Sequence, residues 1–220
     1  MDGSADTLRF EEMRAAMVAS QLRTSAVDDS RVIKVMGEVP RERFVPAASR
    51  AIAYYDRDVP LGNGRAMNAP LASARLVNEA EILSTDRVLL IGAAGGYTAA
   101  VLAGIVAEVV AVESAPEALA IAREELKAFR NVRLVEAPLE QGFPEAAPFD
   151  VLVIDGVVEH LPDALVEQVR TGGRVVTGIM ERGVARLASG RRTTGFAVQA
   201  FADYDAAPLP GFAIPKRFQF

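Results

Sequence analysis

The spacing of apolar residues divides the chain into a helical first part and an alternating second part. Apolar residues recur every three or four positions over 14–22, 32–39 and 71–83, which predicts three helices. The run Asp28-Asp29-Ser30 can cap the second of them. The stretch 54–70 contains two prolines and two glycines with little periodicity, and it predicts an extended loop.

From position 86 onward, short and mostly apolar runs alternate with helical patterns. The runs predict five strands, at 88–91, 109–112, 132–135, 151–154 and 174–177, with Gly172-Gly173 turning into the last one. Strands of this kind that alternate with helices are typical of a parallel sheet covered on both faces. Two later runs, 184–187 and 196–201, have no clear helix between them and predict an antiparallel pair at the sheet edge.

The expected fold class is therefore α/β, with a Rossmann-like, mostly parallel twisted sheet, helices on both faces and an antiparallel edge. We expect a single domain over 1–220. Its parts are N-terminal helices and a substrate loop in 1–85, a cofactor-binding core in 86–180, and C-terminal strands with a strap in 181–220. The tail 206–220 is rich in proline and aromatic residues, and it is predicted to pack as an ordered strap or to contact a partner.

Composition restricts the chemistry that such a fold could perform. The chain has 220 residues and no cysteine, which excludes zinc–cysteine sites, iron–sulfur clusters and a cysteine nucleophile. Its one histidine, His160, excludes a multi-histidine metal site, and we expect no bound metal. The formal net charge of −5 argues against a general nucleic-acid binder.

The chain also lacks the patterns of a secreted or membrane protein. The N-terminus is acidic and has no apolar run, so we expect a cytoplasmic location. Residues 88–107 form an uncharged stretch of the length of a membrane span. Glycines cluster near the middle of this stretch and split it into a β-rich piece and an alanine-rich piece. A buried strand, turn and helix explain it better than a membrane contact.

A candidate cofactor site lies where the first two predicted strands of the alternating part end. The first is followed by Gly92-Ala93-Ala94-Gly95-Gly96, whose small residues let a ligand approach the backbone and the next helix N-terminus. The second ends at Glu113, a spacing at which an acidic side chain can accept hydrogen bonds from ribose hydroxyls. Ser114 follows it and, together with Glu117, also resembles a capping box. The combination implies a cofactor that contains a nucleoside.

The details of the glycine loop favour S-adenosylmethionine among such cofactors. The dinucleotide fingerprint Gly-x-Gly-x-x-Gly fails at Ala94 and Tyr97, and the phosphate-loop ending Gly-Lys-Ser/Thr is absent. The Gly-x-Gly-x-Gly pattern typical of S-adenosylmethionine sites is matched at Gly92 and Gly96 and broken only by Ala94. This cofactor has no phosphates, so the loop needs no basic residue.

Several motifs together resemble the protein-L-isoaspartate O-methyltransferase family over roughly residues 13–180. They are Met17-Val18-x-x-Gln21-Leu22, Val39-Pro40-Arg41-Glu42-x-Phe44-Val45-Pro46, Ala53-Tyr54-x-Asp56, Pro60-Leu61-Gly62-x-Gly64, Gly96-Tyr97-x-Ala99-Ala100-Val101-Leu102-Ala103, Ala147-Pro148-Phe149-Asp150, Pro162-x-Ala164-Leu165-x-x-Gln168 and Gly172-Gly173-Arg174. The second motif is quite specific to that family. The resemblance implies a methyltransferase fold and methyl transfer from S-adenosylmethionine to the carboxylate of isoaspartyl residues in damaged proteins or peptides.

The resemblance also implies where the site residues lie. Asn68 takes the place of the hydroxyl that the family has near the reaction centre, and it is the candidate catalytic residue. The candidate cofactor-binding residues are Gly92, Ala93, Ala94, Gly95, Gly96, Glu113, Ser114 and Asp155. The chain departs from the family pattern at Asn68, Leu90, Pro138 and Asp155, which predicts an altered substrate or weakened cofactor binding.

Two other functions stay open from the sequence. Asp155 ends a predicted strand beside the cofactor loop and could be the general base of a small-molecule methyltransferase, or only a carboxylate in a turn. A catalytically inactive relative that binds proteins is the other alternative. Arg65 could meet a substrate carboxylate, although a single arginine in a loop is more often solvated or in a surface ion pair. The sequence does not indicate an oligomeric state.

Overall fold

One large sheet organises the part of the chain that the structure describes, residues 3–203 and 206–214 of a computed structural model. Its seven strands are β3 (Arg87–Ile91), β4 (Glu108–Glu113), β5 (Val132–Glu136), β6 (Phe149–Val158), β7 (Val169–Glu181), β8 (Val184–Arg191) and β9 (Gln199–Asp203), and a separate hairpin before them pairs β1 (Val59–Gly62) with β2 (Arg65–Met67). The order in the sheet is β5-β4-β3-β6-β7-β8-β9. Strands β3 to β7 pair in parallel, while β8 pairs antiparallel with both β7 and β9. The predicted fold class is confirmed.

Alternate residues of the central strands bury two apolar layers. Leu90, Val109 and Val151 belong to the larger core cluster, whereas their neighbours Leu89 and Val110 belong to the second cluster on the opposite face. This division follows from the period of two along a strand, and it explains why the central runs 88–91, 109–112 and 151–154 are apolar at every position. The helices are α1 (Gly3–Met17), α2 (Ser30–Glu38), α3 (Pro70–Glu79), α4 (Tyr97–Ala103), α5 (Pro116–Glu125) and α6 (Asp163–Val166).

From β3 the chain passes outward to β4 and β5, and it then crosses back to β6 on the other side of β3, so the strand order reverses at β3. Ligands of open α/β sheets bind outside the carboxyl ends of the strands at such a switch point. The loop 92–96 follows β3 at this edge, and Glu113 is the last residue of β4. Asp155 lies near the end of β6, within a bulge where the pairing with β7 shifts between Val153 and Val157.

Three local predictions were wrong. The stretch 54–70 is not only a loop, because β1 and β2 form a hairpin there whose alternate residues are buried. Gly172-Gly173 lies inside β7, at an irregularity in its pairing with β6. Helix α5 begins with Ala115 as its N-cap and has no side-chain cap, since the backbone N–H of Ser114 and Ala115 donate to the Glu113 carboxylate instead.

In the described ranges no helix is long and apolar enough to cross a membrane. The uncharged stretch 88–107 is divided among β3, the glycine loop and α4, as its glycines predicted.

The predicted cap of α2 provides a direct test of local stability. Asp29 is the N-cap, and its Oδ1 accepts from the N–H of Arg31 at 2.8 Å. The side-chain hydrogen bond from Arg31 lowers the pKa of Asp29. Replacing Asp29 by alanine should reduce the free energy of unfolding by about 1 kcal/mol in urea denaturation near neutral pH, because an N–H of the first turn loses its acceptor.

The control is Asp28→Ala, which removes the same charge from an exposed neighbour. The contribution of Asp29 is complete above its unfolded-state pKa of about 4 and disappears as the pH falls through its lower folded-state pKa. Equal losses for Asp28→Ala and Asp29→Ala, or a difference that persists in strong acid, would contradict this assignment of the cap.

Candidate functional site

The loop 92–96 is compact and comes close to a neighbouring segment. Gly92, Ala94 and Gly96 all have positive φ angles, at 78°, 51° and 99°. A Cβ at Gly95 would collide with the carbonyl oxygen of Phe44, so glycine is required there by close packing. The loop therefore has a fixed shape at the carboxyl end of β3, as the sequence predicted.

Glu113 connects this loop to the start of α5. Its side chain is completely buried. Oε2 accepts from the N–H of Ala94 at 2.7 Å, and Oε1 accepts from the N–H of Ser114 at 2.8 Å and of Ala115 at 3.0 Å. The structure therefore brings three predicted cofactor residues, Ala94, Glu113 and Ser114, into one network.

Arg65 completes the network with an ion pair. Its Nη2 donates to Oε2 of Glu113 at 2.8 Å, and both side chains are almost fully buried. The expectation of a solvated or surface-paired Arg65 was wrong. The hairpin that the sequence did not reveal turns this residue inward, where only a nearby carboxylate can balance its charge.

A second network surrounds Asp155, whose carboxylate is 7% exposed. It accepts from Nδ2 of Asn68 at 2.6 Å, from Oγ of Ser73 at 3.1 Å and from Oγ1 of Thr98. The donors come from the segment after β2, from α3 and from α4. Asn68 and Asp155, both singled out from the sequence, thus contact each other directly.

Arg41 is a further buried side chain at this site, and it was not predicted as a separate site residue. It is fully buried, donates to the carbonyl oxygens of Ala53 and Asn68, and its guanidinium carbon lies 4.6 Å from the ring centroid of Tyr97. Burial lowers the pKa of Arg41, and burial raises the pKa of Tyr97 to about 12. A buried arginine fixes the backbone of Asn68. The signal available in the sequence was its place in the Val-Pro-Arg-Glu motif.

Residues 206–214, here called the C-terminal strap, cross the same edge of the sheet. Leu209 packs into the crevice between Gly92 and Gly156, where added Cβ atoms would lie 2.9 Å and 2.5 Å from its side chain. Ala207 donates its N–H to Oδ1 of Asn68 at 2.8 Å. The part of the predicted strap that the structure describes is ordered, and residues 215–220 lie outside the described positions.

Two cavities flank the strap. One, of about 450 Å³, is lined by residues that include Ser114, Pro138 and Gly211. The other, of about 430 Å³, is lined by residues that include Arg65 and Leu209. The strap thus separates two open spaces at the edge where a nucleoside would be expected.

Comparison with other proteins identifies the family of this site. The sequence profile of the protein-L-isoaspartate(D-aspartate) O-methyltransferase (PCMT) family matches residues 12–201. The chain belongs to this family. The protein-L-isoaspartate O-methyltransferase of Methanoculleus marisnigri is 38% identical over 180 residues, 81% of each chain. Protein-L-isoaspartate O-methyltransferase 2 of Anaeromyxobacter sp. is 38% identical over 79% of this chain and 72% of its own.

Solved structures of similar fold bear related names. A structure called protein-L-isoaspartate O-methyltransferase superposes with a TM-score of 0.78 at 23% identity, and the match covers 90% of this chain and 66% of that longer one. A Plasmodium falciparum structure described as a beta-aspartate methyltransferase, in complex with S-adenosyl-L-homocysteine, gives a TM-score of 0.74 at 20% identity, covering 89% and 97% of the two chains. At these identities the likeness establishes the Rossmann-like methyltransferase fold.

The departures from the protein-L-isoaspartate O-methyltransferase pattern have distinct places in the structure. Leu90 is completely buried inside β3 and belongs to the core. Pro138 and Leu139 lie after β5 beside one of the cavities. Asn68 and Asp155 bond each other, so these two departures form a matched pair.

The residues at this edge have the chemistry that S-adenosylmethionine needs. In this conformation, however, other parts of the same chain occupy their hydrogen-bonding groups and the crevice beside them. A compact small-residue loop and an acidic residue on the next strand suit a nucleoside. Both carboxylate oxygens of Glu113 already accept hydrogen bonds, and Leu209 fills the crevice at Gly92. Across positions 3–203 and 206–214, no group of three or more His, Asp or Glu side chains is arranged to hold a metal ion.

The buried Arg65–Glu113 pair should have a large effect on stability. Arg65→Met should reduce the free energy of unfolding by about 3 kcal/mol, because it leaves the charge of Glu113 buried without its counter-ion. Arg123→Met is the matched control, since its pair with Glu136 has both side chains more than half exposed. Removing that surface pair should cost less than about 1 kcal/mol. Denaturant titration measures both losses, and equal values would contradict the buried pair.

Proposed function

We propose that this chain is an S-adenosylmethionine-dependent O-methyltransferase that methylates the carboxylate of isoaspartyl residues in damaged proteins and peptides. The family match carries this proposal, because residues 12–201 include both the acceptor segment around Asn68 and the cofactor loop 92–96. The expected partners are therefore protein or peptide substrates, with no nucleic acid and no membrane. A cytoplasmic location is part of the same proposal.

The residue inventory suits a carboxylate acceptor. A carboxyl group with a pKa of about 4 is already ionised at neutral pH, so it needs neither a strong base nor a metal to become a nucleophile. When bound, S-adenosylmethionine supplies an electrophilic methyl group on its sulfonium. The protein must hold the acceptor oxygen in line with that methyl group, and such positioning can contribute about 7–11 kcal/mol.

Each predicted site residue has a role in this proposal. The loop 92–96, Glu113 and Ser114 would hold the nucleoside part of the cofactor, with Asp155 nearby in the bulge of β6. Glu113 would exchange some of the hydrogen bonds that now occupy both of its carboxylate oxygens. Asn68 would donate a hydrogen bond to the acceptor carboxylate. Its amide already bonds Asp155, so Asn68 has a defined orientation at the reaction centre before any substrate binds.

The general-base alternative is less well supported by the contacts of Asp155. Three side chains donate hydrogen bonds to its carboxylate, so its oxygens are already engaged by the chain and would have to release a donor before one could reach a substrate proton. If Asp155 were the base for an alcohol or amine, Asp155→Asn would abolish turnover. The inactive, protein-binding alternative predicts no cofactor binding by any variant of the chain.

The test is methyl transfer to a matched pair of peptides. Radiolabelled S-adenosylmethionine is supplied with a peptide that contains one isoaspartyl residue, or with the same sequence containing ordinary aspartate. We expect base-labile label on the isoaspartyl peptide and at least tenfold less on its control, a discrimination of about 1.4 kcal/mol. Equal labelling, or no labelling at saturating cofactor by a protein that binds the cofactor, would refute the acceptor assignment.

A further inference from the structure

The C-terminal strap is bonded to the sheet as an additional backbone segment. Ala207 accepts from the N–H of Val157 at 2.8 Å, and Leu209 donates its N–H to the carbonyl oxygen of Val157 at 2.9 Å. Pro208 forms a parallel bridge with the same residue. Val157 is paired with Gly178 of β7 on its other side, so the strap lies along the edge of β6 that is left free where its pairing with β3 ends at Ile154. The strap therefore completes backbone hydrogen bonds at the switch point of the sheet.

Side chains anchor the strap on both sides of these bonds. Leu209 and Phe212 are buried in the second core cluster, together with residues of β3 and β4. The carbonyl oxygen of Phe212 lies 3.0 Å from Nδ1 of His160, and Ile214 donates its N–H to Glu159 at 2.7 Å. The single histidine of the chain thus contacts the strap.

The position of Leu209 excludes a ligand from the crevice. Its side chain packs against Gly92, which directly follows β3, and against Gly156, which lies in the bulge of β6. The strap also occupies the side-chain carbonyl oxygen of Asn68, which accepts a hydrogen bond from the N–H of Ala207. A ligand that enters this crevice must displace Leu209, because two groups cannot occupy the same space.

We propose that the C-terminal strap is an autoinhibitory segment that occupies the cofactor crevice and must leave it before S-adenosylmethionine or its demethylated product binds. This inference rests on the proposed function. It makes the observed structure the closed state of the protein, in equilibrium with a binding-competent state in which residues 206–214 have left the crevice. The apparent association constant for the cofactor is then the intrinsic one multiplied by the fraction of molecules in which the crevice is open.

The closed state can be detected without any ligand. Because the chain has no cysteine, Leu209→Cys and Ile214→Cys each introduce the only thiol. Leu209 is 7% exposed and Ile214 is 56% exposed, so the second variant is a control within the same segment. A thiol reagent should label Cys at 209 at least about a hundredfold more slowly than at 214. Equal labelling rates would overturn the seated strap.

Adding a ligand then tests whether the ligand and Leu209 compete for the crevice. Saturating S-adenosylhomocysteine should raise the labelling rate at position 209 by about tenfold or more and leave position 214 unchanged. Calorimetry should show about tenfold or tighter binding of the same ligand by Leu209→Asp, because a carboxylate is expelled from the apolar crevice, whereas Ile214→Asp should bind like the wild type.

The outcomes separate this inference from the proposed function. Binding to the wild type with no change in labelling at 209 overturns the occlusion and leaves the methyltransferase intact. Protection at 209 with no binding by either the wild type or Leu209→Asp overturns both, since no cofactor site then exists. Binding that is weak in the wild type and tighter in Leu209→Asp supports the occlusion, whatever the acceptor proves to be.

Discussion

The charge of the buried Glu113 carboxylate is the constraint on which the site depends. A carboxylate with no exposure to water must be surrounded by donors, and here Arg65 and three backbone N–H groups surround it. Those donors belong to the hairpin, the glycine loop and the start of α5. One side chain therefore fixes three segments that are far apart in the sequence, and the position of each depends on the others.

The neighbouring network around Asp155 follows the same rule with neutral donors. Asn68, Ser73 and Thr98 provide hydrogen bonds, while Arg41 supplies positive charge from beneath. Because Asn68 also accepts from Ala207, the segment after β2 and the C-terminal strap are joined through one side-chain amide. The carboxylates of the site are thus already paired, while Nη1 of Arg41, Nη1 of Arg65 and the hydroxyl of Tyr97 are buried without a hydrogen-bond partner among the described residues. A ligand that bonds Glu113 or Asp155 must exchange partners with groups that are already paired.

The sequence predicted the parts of the structure that depend on local pattern. The strands from 88 to 177 and the Asp29 cap were visible because apolar period and cap chemistry act over a few residues. The placement of Glu113 beside Ala94 followed from the rule that parallel strands end at one edge. The inward Arg65 was not predictable, because its burial depends on a hairpin without a clear pattern and on a partner 48 residues away. The packing of Leu209 was likewise not predictable, because it depends on two glycines distant in the sequence, Gly92 and Gly156.

The two prolines that flank Leu209 have a consequence for how the terminus moves. Residues 207 and 209 bond Val157, so the backbone nitrogens of Pro208 and Pro210 lie on the opposite edge of the strap, and without an N–H they cannot donate to a further strand there. Prolines also restrict the free segment to extended conformations, which lowers the entropy lost each time it docks again. The C-terminal strap therefore has the character of a latch: a short, stiff element held by the backbone of Val157 and by the buried side chains of Leu209 and Phe212, whose contacts are broken and remade together.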